Sequence, residues 1–140
     1  MDGIDSTLDF PPLGHSLEVR VGEDLVFASN DRWLRPLVEL ERFLLDKPLL
    51  DRGSLLVRDR IVGRAAALLL VRLGVQRVEA GLLSRPGQEA LEAAGVRYRC
   101  RELVDRIGCR TESLLLTETD PELAYRLVCA LLAESSGADA

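Results

Sequence analysis

Asp59, Arg60 and Arg64 crowd the first turns of an otherwise apolar stretch that runs to Arg72, and Ser84 and Arg85 open a second helical stretch. A helix start presents unpaired N–H groups and a partial positive charge. Arginines and small polar residues gathered there make an anion site, for phosphate or carboxylate. Gly63, just before Arg64, permits close approach, either of a ligand or of a packed neighbour. A second chemistry lies with Cys109 and Glu112, a thiol behind Gly108 with a carboxylate three residues on. A thiolate there would be a nucleophile, with Glu112 or Asp59 as its acid–base partner.

Each of these residues also has a plain structural reading. Asp59 and Ser84 make good N-caps, and that is the simpler role for both. Gly63 more often serves helix–sheet packing. Arg64 divides evenly between an ion pair within the fold and a hold on a ligand. Arg58 and Arg60 read as a solvated face. Cys109 reads more simply as an inert thiol, and Cys100 and Cys129 as small core residues. Glu112 fits a helix-start carboxylate. His15, the only histidine, reads as a surface residue.

Several chemistries are excluded by composition and spacing. Zinc needs three or four converging nitrogen or sulfur ligands, and one histidine with three scattered cysteines does not provide them. No metal and no cofactor are therefore expected. The same histidine count excludes a Ser–His–Asp set. Gly63 is followed by a basic residue, but Arg58 stands where a phosphate-binding loop needs its first glycine and Ala65 where it needs a hydroxyl. No G-x-G-x-x-G is present. A net charge of −5 and the lack of a basic stretch interleaved with aromatics place nucleic acid last among partners. No apolar run approaches the ~20 residues of a membrane span. An acidic start at Met1-Asp2-Gly3 and unpaired cysteines fit a soluble, cytoplasmic protein.

The elements that must position these residues follow from periodicity. Residues 1–16 read as an irregular arm, residues 17–134 as one α/β domain and residues 135–140 as a flexible tail. Leu17–Val21 alternates apolar and charged residues, and Leu25–Ala28 pairs with it as a hairpin. A helix capped by Asn30 or Asp31 follows, with Pro36 in its first turn. Ser54–Val57 is a strand that leads into a helix over 59–72. Gly74 and Gly95 end two helices, and each is followed by a strand. This βαβαβ order implies parallel neighbours joined by right-handed crossovers. Two helices then share one face of a mixed sheet, and the first and last helices are left to cover the other. The prediction is a three-layer α/β/α sandwich. The helix over 59–72 is apolar beyond the needs of one sheet face, which fits burial against a partner such as a second copy.

The hairpin, Leu34-Arg35-Pro36-Leu37, Val62-Gly63-Arg64-Ala65-Ala66-Ala67, Ser84 at a strand end and Cys109-Arg110-Thr111-Glu112 together resemble the domain of unknown function 1893 family. The resemblance spans roughly residues 17–116 and is most specific at 62–67. Arg110 stands where the family pattern has proline. The family is similar to cytidine deaminases in fold, so the resemblance implies a cytidine-deaminase-like scaffold. Zinc deaminases place His-x-Glu and Pro-Cys-x-x-Cys at two helix starts. Neither motif is present near residues 59–64 or 84–88. The expected function is a deaminase-fold domain without zinc, holding a small anionic ligand at Asp59, Gly63, Arg64, Ser84, Arg85, Cys109 and Glu112. A metal-free enzyme using Cys109 and a homo-oligomeric interaction protein stand as alternatives, and whether the chain is an enzyme stays open.

Overall fold

The computed structural model describes residues 13–138, so residues 1–12 of the expected arm lie outside the described residues. Strands β1 (Leu17–Val21) and β2 (Asp24–Ser29) form the expected hairpin. Helix α1 (Arg35–Leu45) follows, then β3 (Leu55–Val62), α2 (Arg64–Arg72), β4 (Arg77–Ser84), α3 (Arg85–Ala93) and β5 (Arg97–Val104). A short α4 (Arg110–Leu114) and a long α5 (Pro121–Ala138) complete the chain. Residues 135–138 are thus helical, where the sequence suggested the start of a tail.

The five strands lie in the order β2-β1-β3-β4-β5. β1 runs antiparallel to β2 and β3, and β3, β4 and β5 are parallel, so the sheet is mixed as expected. The joints after α2 and α3 both turn through a left-handed glycine, Gly74 at φ +81° and Gly95 at φ +72°. Only glycine takes that conformation without a steric cost.

Two expectations fail, for connected reasons. The helix over 59–72 begins only at Arg64, because β3 continues to Val62. Strand geometry gives Arg58 a partner on each side, Glu18 across β1 and Glu79 across β4, which a helix would not. Asp59 is therefore a mid-strand residue and caps no helix. The layers also differ from an α/β/α sandwich. Helices α1, α3, α4 and α5 all contact α2, so the helices gather on one side of the sheet. Leu37, Leu40 and Leu44 of α1 join Val57, Val78 and Ala80 of the sheet in a single core. Every residue of α2 from Arg64 to Leu70 is buried. The sheet covers one side of this helix, α1 and α3 flank it, and α5 covers the rest. The apolar surplus attributed to a partner is met within the chain. Among the described residues, no helix lies on the opposite sheet face.

Helix α1 starts later than expected. Leu34 is its N-cap residue and makes no side-chain cap, and Asn30 and Asp31 lie upstream. Trp33, just before it, has φ +59°, the one non-glycine residue with positive φ among those described. A bulky side chain held there stores strain of order 1–3 kcal/mol.

Candidate functional site

The start of α2 is a buried, hydrogen-bonded polar feature of the fold. Gly63 leaves β3 in extended conformation, and α2 begins at the next residue. The Arg64 N–H donates to Glu112 Oε1 at 2.5 Å, and the Ile107 N–H donates to Glu112 Oε2 at 2.9 Å. Glu112 is 1% exposed. An anion does sit at this helix start, and it is the chain's own carboxylate, brought in by α4.

Arg64 is buried, and its guanidinium turns to main-chain carbonyls. Nη1 donates to Pro86 O at 2.9 Å, Nε to Glu118 O at 3.1 Å, and Nη2 also to Glu118 O. It ties the start of α2 to the start of α3 and to the loop before α5. The reading of Arg64 as a ligand-holding cation is corrected: its donors are engaged by the fold. Ser84 is the N-cap of α3, its hydroxyl accepting from the Gly87 N–H at 3.0 Å. Arg85 pairs with Asp105 at 2.9 Å on the surface.

The two helix tips meet without a hollow between them. A Cβ on Gly87 would lie 2.9 Å from Gly63 O and 3.1 Å from Val62 O. Asp59 is in register with Ala80, four residues before Ser84, or about 13 Å along the strand. The expected site at Asp59, Ser84 and Arg85 is therefore not assembled, because backbone-to-backbone packing fills the space. Gly87→Ala should lower stability by about 2 kcal/mol in a denaturant melt, since neither neighbouring carbonyl can yield freely.

A cavity of about 230 Å³ opens on the other flank of α2. Trp33 and Leu34 wall it ahead of α1, and Ile61 walls it at the end of β3. Ile107, Cys109 and Thr111 close it from the segment leading into α4, and the first turn of α2 forms its back, with Glu112. Trp33 is 46% exposed and Ile61 53% exposed, so both stand at the mouth. Cys109 Sγ lies 3.4 Å from Thr111 Oγ1. Of the residues expected at a site, the structure brings Gly63, Arg64, Cys109 and Glu112 to this cavity and leaves Asp59, Ser84 and Arg85 out. Sequence reasoning missed Trp33, Ile61, Ile107 and Thr111. The one signal was Trp33 itself, the sole tryptophan, placed ahead of a proline-started helix.

Asp59 is half-buried on β3, two residues before Ile61. Burial pushes its carboxyl up to about 7, against the lowering effect of hydrogen bonds from the Ile61 and Arg60 N–H groups. Cys100 is buried in β5, and burial raises its thiol pKa. Among the described residues, no group of three His, Cys, Asp or Glu side chains could hold a metal ion. No helix among them is long and apolar enough to cross a membrane.

Residues 14–131 match a family model described as Domain of unknown function (DUF1893). The crystal structure of a DUF1893 family protein from Thermotoga maritima superposes with a TM-score of 0.71 at 28% sequence identity, covering 82% of this chain and 79% of that one. Among curated proteins, none matches.

Proposed function

The chain belongs to the DUF1893 family, and we propose that it is a small-molecule-binding domain whose ligand occupies the cavity between Trp33 and Cys109. The observation that carries this reading is the pairing of a largely apolar cavity with a strained tryptophan at its mouth. Strain of that kind persists where the surrounding structure over-determines it, and it clusters at ligand clamps. The volume lies below the ~300 Å³ at which drug-sized sites begin, so the ligand is small.

A neutral ligand fits better than the anion expected from sequence. The N–H that would greet an anion is taken by Glu112, whose own charge repels a second carboxylate or phosphate. The cationic group of Arg64 is turned away to Pro86 and Glu118. The walls offer an indole face, isoleucine side chains, the Thr111 hydroxyl and the Cys109 thiol. A flat, uncharged ring with one polar edge matches them. The cytidine-deaminase-like scaffold belongs to the same proposal as a statement of architecture alone, because the starts of α1, α2 and α3 carry no histidine or cysteine.

Trp33 supplies the test, since its fluorescence comes from the cavity mouth with no second tryptophan to mask it. Benzamide and phenol should quench or shift that emission saturably, with dissociation constants on the order of 0.1–10 mM, as expected for so few atoms. Inorganic phosphate and acetate should leave it unchanged. Ile107→Trp read by ligand-observed NMR should fill the cavity and abolish binding. Saturation by phosphate and none by the neutral rings would restore the anionic reading and sink this one.

A further inference from the structure

We propose that the groove where the end of α1 meets the sheet edge is a self-docking surface, occupied by a second copy of this chain across a two-fold axis. The groove has a volume of about 720 Å³ and is lined by Val26 of β2, Phe43 of α1 and residues 46–50, the turn that follows α1. Val26, Phe43 and Leu50 are half-buried and pack on the core. The Phe43 ring lies against Phe27, with 5.1 Å between centroids. The floor is thus a firm extension of the core, apolar and open on its outer side.

A knob stands beside this hole. Leu49, on the same turn, is 98% exposed and so has almost no contact within its own chain. A single exposed leucine is ordinary, but here it borders an apolar groove. A two-fold contact is built from one patch that complements itself, and this patch holds both the projecting side chain and the place to receive it. In the pair, each Leu49 enters the other copy's groove, and both leave water together. Pro48 restricts the backbone beside it, so little freedom is lost when the leucine docks.

Charge selects a second copy over a foreign partner. Asp46 and Lys47 border the groove side by side. Lys47 is the only lysine of the chain, and its Nζ lies 5.9 Å from the centre of the Phe43 ring. Asp46 is the C-cap residue of α1, where an acid faces the negative end of the helix dipole and a cation is wanted. Among the described residues neither side chain forms an ion pair. A two-fold axis through the groove sets each acid against the other copy's lysine. A foreign partner would need the same two charges in reverse order, and a second copy has them by construction.

Strand pairing does not make this contact. β2 is an outer strand of the sheet, but its register with β1 slips beside Val26. An irregular edge resists extension by another strand, so side chains carry the interface.

The test is sedimentation velocity on the full chain. Between about 2 and 500 μM, monomer should give way to dimer with a dissociation constant on the order of 10–100 μM, as suits a small interface. Leu49→Asp, at a position the fold does not bury, should raise that constant at least about 20-fold. Lys47→Asp should raise it about ten-fold, because acid then faces acid. Asp46→Lys combined with Lys47→Asp should return it to within about three-fold of the unaltered value, since exchanging both charges preserves the pairing. A chain that stays monomeric throughout overturns the proposal. If that monomer takes up anilinonaphthalene sulfonate and Leu49→Asp abolishes the uptake, the groove belongs to an apolar small molecule instead. A dimer indifferent to Leu49→Asp overturns it as well, since the contact then lies elsewhere. A dimer broken by Leu49→Asp and by Lys47→Asp but not restored by the double exchange overturns the two-fold arrangement.

Discussion

Glu112→Ala should lower the free energy of unfolding by about 3–4 kcal/mol, read from urea transitions at pH 7. The estimate follows from what the side chain leaves behind. Its two oxygens accept from the Arg64 and Ile107 N–H groups, at 2.5 and 2.9 Å, in a place solvent scarcely reaches. Alanine would strand both donors, and each buried unsatisfied N–H costs about 1–3 kcal/mol. The start of α2 would also lose the negative charge that complements its dipole. Glu112→Gln preserves shape but turns an NH₂ group towards one of the two donors, so roughly half the loss should appear. Acetate separates this account from a plain packing defect. In Glu112→Ala, about 100 mM acetate should raise the melting temperature by a few degrees over chloride at equal ionic strength, by binding the vacated helix start. The unaltered protein should not respond. A Glu112→Ala variant that melts with the unaltered chain would show that the carboxylate is not the counter-charge of α2.

The sequence contained that answer in an unreadable form. A helix start rich in N–H groups was legible at residues 84–85, and one after β3 was expected from residue 59, five residues before α2 begins at Arg64. That the anion comes from residue 112 depends on how α4 returns to α2, a contact between residues 48 positions apart that no local pattern encodes. The parallel β3-β4-β5 order was legible because Gly74 and Gly95 mark two alike crossovers. The end of β3 was not, since Asp59-Arg60-Ile61 carries charges that suit a helix start as well as a strand. Cross-strand partners at Glu18 and Glu79 settle Arg58 as strand, and those partners come from distant sequence. The one-sided layering was missed for a related reason. The apolar circumference of α2 implies cover on several sides, and it is α5, from the far end of the chain, that supplies the side away from the sheet. Cys109 and Glu112 line one cavity, whose other walls, Trp33, Ile61 and Ile107, are ordinary core-type residues whose exposure only the fold reveals.

Asp59→Asn should stabilise the protein at pH 8 by about 3 kcal/mol and leave it unchanged below about pH 4. The carboxyl titrates near 3.8 in the unfolded chain, while burial lifts it to about 7 in the folded one. Between those values the folded protein binds more protons than the unfolded, so stability falls as pH rises and levels off above neutrality. Three pH units correspond to roughly 4 kcal/mol, reduced here because the side chain keeps some contact with solvent. Asparagine matches the protonated acid in shape and carries no charge, so the variant should lack this slope. Urea titrations of both proteins from pH 4 to pH 9 would reveal the difference as diverging midpoints. Parallel curves would mean that Asp59 ionises as freely as an exposed acid. Position gives the result a bearing on the cavity. Asp59 stands two residues before Ile61 on the same side of β3, and Ile61 lines the mouth. Charging Asp59 places an anion without a described cationic partner behind that wall. Binding of a neutral ring read through Trp33 should then weaken above pH 7 if ionisation loosens the wall, and Asp59→Asn should remove that dependence while leaving affinity at pH 5 unaltered.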